Sequence, residues 1–415
     1  ALPILALRIG GAGEIGIKIK QVEEKLRLIA HVAVEKERMA ELPVGQEAGH
    51  QVVVISGSNE KHYYEADIEG IKVCYVPASY DNAFSFYARS VSFIKFLVKA
   101  ARISPRYADF DYCYAISVPL TVGLVARWNK WRMKMKYIFE VGDLWPDAPV
   151  QMGFVKNYFL KSTLYNLERS IYKEAESVVA LSPAIQNGVE NKVPGKKVHL
   201  IPNMSDCDFY NPEEKSELLE SKFEVGNKFV VSYIGALGIA NGLDYFIECA
   251  NASSKANLPI HFLLCGEGAM KAQVKTDIAR LGLQNITILG FFNREGVHEV
   301  LNVTDASFIC YKNVPILETG SPNKFFDGLA AGKMIITNFG GWIKDEIEGA
   351  GCGISLDPKQ PSDFVKKITP FLSDHDLLRR YQAAARGLAE KKYSRRIVGE
   401  RFAALFEDHA STSSK

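Results

Sequence analysis

Short apolar runs alternate with longer stretches of helical periodicity along most of the chain. The runs are rich in Val, Ile, Leu and Phe, which is typical of strands covered on both faces of a parallel sheet. The pattern predicts strands at Leu2–Arg8, Gln51–Ser56, Lys72–Tyr75, Tyr112–Ile116, Lys136–Glu140, Ser177–Ala180, Val198–Ile201, Phe229–Ile234, Ile260–Cys265, Ile286–Leu289, Ala306–Cys310, Met334–Thr337 and Gly353–Ser355. It predicts helices between them, among them Leu243–Lys255, Met270–Leu281, Arg294–Asn302 and Asn323–Ala331. This order predicts an α/β fold of two doubly wound units.

The length and one polar break predict two domains. The 415 residues are too many for one ordinary core. We place the boundary just after Asn203, because the segment from there to Lys228 is polar and acidic and has no strand pattern. This gives an N-terminal domain at residues 1–205 and a second domain at 206–392. Residues 393–409 have the apolar spacing of a final amphipathic helix that needs a groove to pack into.

Composition narrows the function classes. Apolar residues make up 47% and charged residues 24%, and the net charge of +2 gives no field that favours nucleic acid. The seven cysteines form no CxxC pair, which favours buried thiols in a reducing compartment. The histidines show no metal-binding spacing, and no leader or membrane-spanning apolar run is evident. We therefore expect a cytoplasmic protein with no metal site and no nucleic-acid partner.

A glycine motif near the start has several interpretations. Gly11, Gly13 and Gly16 form a GxGxxG after a strand-like run, as in loops that approach a dinucleotide. The next strand begins only at Gln51 and does not end in the acidic residue that would bind a ribose. A loop facing the cleft between the domains is therefore favoured over a nicotinamide site, and a plain tight turn is the remaining alternative. The segment Ile17–Gln46, heavy in Lys and Glu, predicts a solvated helix.

The most informative stretch is Glu318–Lys333. Gly320 and Ser321 precede a helix that begins near Asn323, so free backbone amides there would face an anion. Lys324 in the first turn opposes the helix dipole, which is reasonable if a diphosphate binds at the same end. Asp327, one turn on, would accept hydrogen bonds from ribose hydroxyls. The alternative is a capped helix with a solvated Lys and Asp.

This stretch resembles the nucleotide-binding signature of retaining glycosyltransferases of family 4, whose fold is called GT-B. Lys324 matches the signature's lysine, and Asp327 stands where a glutamate normally contacts the ribose. Thr319 occupies the place of the family's other glutamate, and Glu318 lies one residue out of register. The resemblance implies two Rossmann-like domains facing across a cleft, with the C-terminal helix crossing back to the first domain. It also implies retaining transfer without a metal, a cofactor or a strong enzymic nucleophile.

Three further blocks resemble the family's donor-binding loops in the same order. Tyr233–Asp244, which contains Gly235 and Leu237, is similar to the glycine loop after the first strand of the second domain. Ala236 and Asn241 stand near the places of a usual Arg and Lys. Two other blocks resemble a third-strand turn and the loop that reads the base, expected to be uracil; they contain Gly266 and Phe291 respectively.

The acceptor side is predicted from Phe139–Asp147. This block resembles a family branch that builds O-antigen and capsule repeats on a polyprenyl carrier, including N-acetyl-L-fucosamine transferases, although Gly142 replaces that branch's arginine. Asp143 is the first candidate for contacting the acceptor or the reacting sugar, and Glu140 is the second. With Glu318, these form the catalytic candidates. Trp145 is assigned to the cleft loop with Gly11 and Gly13. For Asp143, the alternative is a structural role in which its side chain caps a helix.

Three segments combine basic and aromatic side chains, at residues 92–102, 127–136 and 156–172. This composition suits an anionic membrane surface and a lipid diphosphate acceptor, and ordinary helices with charged edges are the alternative. We therefore expect a UDP-sugar-dependent transferase of bacterial surface-polysaccharide assembly, peripheral on the inner face of the cytoplasmic membrane. The rivals are a sugar-nucleotide epimerase or hydrolase of the same fold, a nicotinamide-dependent oxidoreductase and a catalytically silent sugar-binding scaffold.

Overall fold

A computed structural model describes residues 27–32 and 51–413, apart from 69, 81–83, 85 and 118. The predicted strand Leu2–Arg8 and the glycine motif at Gly11 and Gly13 lie outside the described residues.

The first sheet has eight strands in the order β3-β4-β2-β1-β5-β6-β7-β8. Every pairing is parallel except that of β3 with β4. The strands are β1 Arg27–Val32, β2 Gln51–Ser58, β3 Tyr64–Ile68, β4 Ile71–Pro77, β5 Tyr112–Ser117, β6 Lys136–Val141, β7 Ser177–Ala180 and β8 Val198–Leu200.

Two strands of this sheet were not predicted. β1 lies inside the segment Ile17–Gln46, so the helix predicted there is wrong for residues 27–32. β1 pairs on both sides, with Leu28 opposite Val52 and Tyr112, so its conformation is set by two neighbouring strands and not by its local pattern. β3 is an antiparallel edge strand whose side chains alternate between partly buried and exposed.

The second sheet is wholly parallel, with six strands in the order β11-β10-β9-β12-β13-β14. They are β9 Phe229–Ile234, β10 Ile260–Cys265, β11 Ile286–Gly290, β12 Ala306–Ile309, β13 Met334–Thr337 and β14 Gly353–Ser355. Side chains such as Val231, Phe262 and Phe308 are fully buried between the helical layers. The two doubly wound α/β units predicted from the alternation are confirmed.

Helices cover both sheets. Those from the first half of the chain are α1 Phe86–Ile103, α2 Thr121–Met133, α3 Asp147–Gln151, α4 Tyr158–Glu174 and α5 Pro183–Lys192. Those that follow are α6 Glu217–Lys222, α7 Leu243–Lys255, α8 Lys271–Leu281, α9 Arg294–Val303, α10 Asn323–Ala330, α11 Trp342–Ala350, α12 Asp363–Ser373, α13 His375–Leu388 and α14 Arg395–Ser413.

The last helix returns to the first sheet. Val398, Phe402 and Leu405 of α14 are buried in the same cluster as Val54 and Tyr114 of β2 and β5. The rings of Tyr114 and Phe402 are 5.3 Å apart between centroids. The predicted return of the C-terminal helix to the first domain is therefore confirmed.

The two sheets meet where functional clefts usually form. In each sheet the strand order reverses, between β1 and β5 and between β9 and β12, and ligands of open α/β sheets bind outside the carboxyl ends of strands at such points. The two domains are in contact near this edge. The hydroxyl of Ser182 donates a hydrogen bond to the carbonyl of Thr319 at 2.6 Å. The first sheet ends at Leu200 and the second begins at Phe229, and the domain boundary at residue 205 stays a prediction.

Candidate active site

The turn before α10 is held by the linker between the two sheets. Asn203 donates to the carbonyl oxygen of Ser321 at 2.7 Å and to Oδ1 of Asn323 at 2.6 Å. The first amides of a helix have no intrahelical acceptor, and in α10 the amide of Phe325 donates to the carbonyl of Pro322 just before the helix, at 3.0 Å. The linker therefore fixes a helix start whose amides suit an anion. Asn203 was not among the predicted site residues.

Ser321 contributes a polar atom that has no partner. Its Oγ is buried and makes no hydrogen bond to any residue that the structure describes. Buried hydroxyl groups are nearly always satisfied, so this position favours a ligand with acceptor oxygens. The neighbouring Gly320 carbonyl is occupied, because it accepts from Nε1 of Trp342 at 2.8 Å.

The side chain of Lys324 packs against the loop that follows β9. Its Nζ donates to the Tyr233 hydroxyl at 2.8 Å and lies 4.0 Å from the centre of that ring. A methyl group built onto Gly235 would be 3.2 Å from Cε of Lys324, so the backbone and the lysine approach closely. Burial lowers the pKa of Lys324 to about 8. Within the described part of the chain, no carboxylate forms an ion pair with it, so a bound anion would supply the missing negative charge.

The backbone amides of the glycine loops predicted to bind the donor are engaged by carbonyls of the protein. The amides of Gly235, Leu237 and Gly266 already donate to the carbonyls of Cys265, Glu267 and Gly290. Gly266 has a φ of +148°, and a methyl group on it would lie 1.9 Å from the Gly235 carbonyl. These residues therefore bring the two loops together, and the donor-binding role predicted for them stays a prediction.

The nucleoside end of the predicted site contains Phe291 and Asp327. Phe291 follows β11 and is 56% exposed, so its ring is available for stacking on a base. Asp327 is half-buried one turn after Lys324, and its charge adds to burial in raising the pKa of Tyr210. Their contacts with uracil and ribose stay predictions.

Thr319 and Glu318 are engaged by protein groups. The Thr319 hydroxyl donates to the carbonyl of Ile316 at 2.7 Å, and its own carbonyl accepts from Ser182. The Glu318 carboxylate accepts a long bond of 3.4 Å from the amide of Gly340. Thr319 therefore joins the two halves of the molecule, and Glu318 faces the loop after β13.

Asp143 brings the first domain into the site. It follows β6, and a methyl group built onto Gly320 would lie 3.9 Å from its Oδ1. The residue is exposed to the cleft, but the protein around it raises the pKa of its carboxyl above the usual value. Its carboxylate makes no hydrogen bond to residues 27–32 or to the described residues from 51 onward. An unpaired carboxylate beside the second domain is suited to contact a substrate.

Glu140 and Trp145, the other residues predicted on the acceptor side of this strand end, are more buried than Asp143. Glu140 is 1% exposed and accepts a hydrogen bond from Tyr114, which packs under α14. The side chain is therefore enclosed in the core and separated from the cleft, so the structure does not support the predicted catalytic contact. Trp145 is partly buried against the first domain's core.

Tyr311 is a site residue that sequence analysis missed. Its hydroxyl lies 3.9 Å from the same methyl position on Gly320 that Asp143 approaches. The signal in the sequence was an aromatic residue two positions after the end of β12, at the point where the strand order reverses. Among the residues that the structure describes, no cluster of His, Cys, Asp and Glu could hold a metal ion.

Two facing doubly wound domains, with a lysine-bearing helix start at the reversal point of the second, define the GT-B fold. Residues 39–204 match the model of the glycosyl transferase 4-like domain, and residues 214–388 match that of glycosyl transferases group 1. The first half of the chain is thus similar to glycosyl transferase 4-like domains and the second half to glycosyl transferases group 1.

The chain is also similar to individual curated relatives, and solved structures share its fold. The chain is 19% identical over 248 residues to the alpha-D-kanosaminyltransferase of Streptomyces kanamyceticus, covering 58% of this chain and 62% of the relative. It is 24% identical over 204 residues to TuaH of Bacillus subtilis, whose name links it to teichuronic acid biosynthesis, covering 48% and 49%. The chain thus spans less than two thirds of either relative. The structure of Anabaena HepE in complex with UDP-glucose superposes with a TM-score of 0.70 at 15% identity, covering 92% of this chain and 100% of HepE.

No helix in the described ranges has both the length and the apolar character that crossing a bilayer requires.

Proposed function

We propose that this protein is a retaining glycosyltransferase that moves a sugar from a UDP-sugar to a glycan or a polyprenyl-diphosphate-linked acceptor. N-acetyl-L-fucosamine or a related amino sugar is the proposed donor sugar, and bacterial surface polysaccharide is the proposed product. The observation that carries the proposal is the half-buried Lys324, which has no carboxylate partner in the described residues, beside the unpaired hydroxyl of Ser321. The UDP-glucose complex of HepE and the name of TuaH support the donor class and the product.

The reaction follows from these groups. The bond from the sugar's C1 to the diphosphate breaks, a bond from C1 to the acceptor oxygen forms on the same face, and the acceptor's proton passes to the departing diphosphate. Lys324, Ser321 and the start of α10 stabilise the negative charge that develops on the leaving group. Asp143 contacts the reacting sugar or the acceptor from the other domain. The lysine supplies the positive charge, so we propose that no metal is needed.

Binding of nucleotide sugars tests the donor site. A bound ligand raises the melting temperature by mass action, so UDP and a panel of UDP-sugars should each raise that of the wild-type protein. Lys324→Ala should lose this rise, whereas Lys359→Ala, at an exposed lysine, should keep it. An unchanged rise in Lys324→Ala would contradict the phosphate assignment. Without any acceptor, conversion of the UDP-sugar to UDP and free sugar would instead favour hydrolysis, and formation of an epimeric UDP-sugar would favour epimerisation.

We also propose that the acceptor is presented at an anionic lipid surface. Nine of the twelve large apolar side chains that are exposed in the described residues lie between Tyr87 and Leu160 of the first domain. Residues 82–167 contain 12 Lys and Arg but only five Asp and Glu, so this surface is basic. The three predicted membrane segments, at 92–102, 127–136 and 156–172, all contribute to it. Apolar side chains among basic ones favour peripheral binding at the inner face of the cytoplasmic membrane.

The start of α4 is the most exposed part of this surface. Tyr158 and Phe159 are 77% and 79% exposed, with Phe154 and Leu160 beside them. No acidic residue occurs from Ala148 to Leu167. This segment follows α3, which connects it to the loop that carries Asp143. A lipid bound here would therefore contact a segment that is near in sequence to the acceptor loop of the cleft.

Sedimentation with vesicles tests the lipid proposal. The protein should pellet with phosphatidylglycerol vesicles, and less so at high salt, because salt screens exposed charges. Replacing Tyr158 and Phe159 together by Asp should greatly reduce pelleting, whereas Leu218→Asp, at an equally exposed apolar residue of the second domain, should not. Equal pelleting of both variants, or no pelleting of the wild type at low salt, would contradict the proposal.

A further inference from the structure

Both the backbone and the ring of Tyr311 are fixed by neighbouring residues. Its backbone amide donates to Oδ1 of Asn338 at 3.0 Å, and its carbonyl accepts from Nδ2 of the same side chain at 2.9 Å. Asn338 is 2% exposed, so a buried amide is committed to fixing this one residue. The ring packs against Phe339, with 5.0 Å between the centroids. The position of the phenol is therefore fixed by the core behind it.

The hydroxyl of Tyr311 has no partner of its own. Across the described residues it makes no hydrogen bond, although the side chain is half-buried. It approaches Gly320 from one side while Asp143 approaches from the first domain, each 3.9 Å from the same methyl position. Nζ of Lys324 lies 5.8 Å from the Tyr311 ring. Tyr311 thus lies near both the lysine of the proposed diphosphate position and the carboxylate of the other domain.

The chemistry of this pair suits a sugar. Burial and the nearby charge of Asp143 raise the pKa of Tyr311, so the phenol keeps its proton and can donate. The carboxylate of Asp143 can only accept when it is ionised. A sugar hydroxyl both donates and accepts, so one ring could use both groups. A sugar attached to a diphosphate at Lys324 would extend into the space that these groups border.

We propose that the Tyr311 hydroxyl binds the transferred sugar and helps to select it, together with the nearby carboxylate of Asp143. This inference rests on the proposed function, because it takes the diphosphate at Lys324 as given. It assigns Tyr311 to the sugar and leaves the UDP part to Ser321, Lys324 and Phe291. Removal of the hydroxyl should therefore change the recognition of sugars but not of UDP.

Calorimetric binding of UDP, UDP-glucose, UDP-galactose and UDP-N-acetylglucosamine tests this assignment. Tyr311→Phe removes one oxygen and keeps the ring on Phe339, so its affinity for UDP should stay within about twofold of the wild type. The sugar nucleotide that the wild type prefers should bind about tenfold more weakly, and the preference among the three sugars should shrink. Tyr381→Phe, a half-buried tyrosine packed on Phe371, is the matched control and should change neither.

The outcomes separate the two proposals. Equal affinities and an unchanged order of the three sugars in Tyr311→Phe would overturn the role of the hydroxyl. A parallel loss of UDP affinity would overturn it as well, since the residue would then act on the phosphate site. Failure of the wild type to bind UDP or any of the sugar nucleotides would instead contradict the proposed function.

Discussion

The two sides of the cleft differ in how their charged residues are placed. On the donor side, Lys324 lies in the first turn of a helix. Its ammonium donates a hydrogen bond to the hydroxyl of Tyr233 and forms no ion pair with any residue that the structure describes. On the acceptor side, Glu140 and Asp143 are three residues apart, yet Glu140 is enclosed beneath α14 and Asp143 is open to the cleft. The difference arises because Glu140 lies within β6, whereas Asp143 lies beyond its end. A polar residue past the carboxyl end of a strand is therefore a better site candidate than one inside the strand.

The strongest test of this contrast is Asp143→Asn. If the carboxylate contacts the reacting sugar or the acceptor, kcat should fall by about 10² to 10³-fold, because an amide cannot replace a charged contact in the transition state. UDP affinity should stay unchanged, since the proposed diphosphate position lies at Lys324. Steady-state transfer assays and calorimetry would measure both. A kcat within about twofold of the wild type would remove Asp143 from the site.

A smaller effect is expected at the linker. Asn203→Ala removes both hydrogen bonds that hold the turn before α10, so UDP affinity should fall by about tenfold. The free energy of unfolding should fall by about 1 to 3 kcal/mol, because the buried groups at Ser321 and Asn323 lose their donor. Asn211→Ala, at an exposed asparagine of the same linker, serves as the control. Unchanged UDP binding in Asn203→Ala would show that the turn does not depend on the linker.

The donor side should also respond to pH. The pKa of Lys324 is lowered to about 8, so the ammonium is present below that pH and is lost as the pH rises through it. UDP affinity should therefore fall several-fold, by roughly one order of magnitude at most, between pH 7 and 9. Lys324→Arg should bind with little pH dependence over this range, because guanidinium keeps its proton. Equal slopes for both proteins in calorimetric titrations would contradict the assignment.

The smallest effect on catalysis is expected for Glu140→Gln. The side chain is enclosed, so kcat should stay within about threefold of the wild type, whereas Asp143→Asn loses far more. Stability should fall by about 1 kcal/mol or more, because the hydrogen bond from Tyr114 is weakened in the core. Thermal unfolding would measure this change. A large loss of kcat without a loss of stability would bring Glu140 back as a catalytic residue.

Local patterns were enough to predict most of the second domain. All six strands of its sheet were predicted, because each is a compact apolar run between helices of clear periodicity. Lys324 and Asp143 were predicted as site residues for a related reason, since Lys324 lies in the first turn of α10 and Asp143 lies just beyond the end of β6, and their roles stay predictions. In the first domain, β1 was missed because the Lys and Glu residues around it give a helical pattern, and pairing with β2 and β5 overrides it.

The remaining site features depend on contacts that no local pattern records. Asn203 bonds a residue 120 positions away, and the Tyr311 backbone is held by Asn338, 27 positions away. The burial of Glu140 was not predicted, for a different reason. β6 is covered on both faces, and such strands are apolar throughout. Its sequence therefore does not show which side chains lie on the face of the sheet that α14 covers and which lie on the other face.

A crystal structure with bound UDP would locate the diphosphate. We expect it at the start of α10, with one phosphate oxygen within hydrogen-bonding distance of Lys324 Nζ and another within reach of Ser321 Oγ. A diphosphate bound away from Ser321 and Lys324, for example against Gly11 and Gly13 alone, would contradict this expectation.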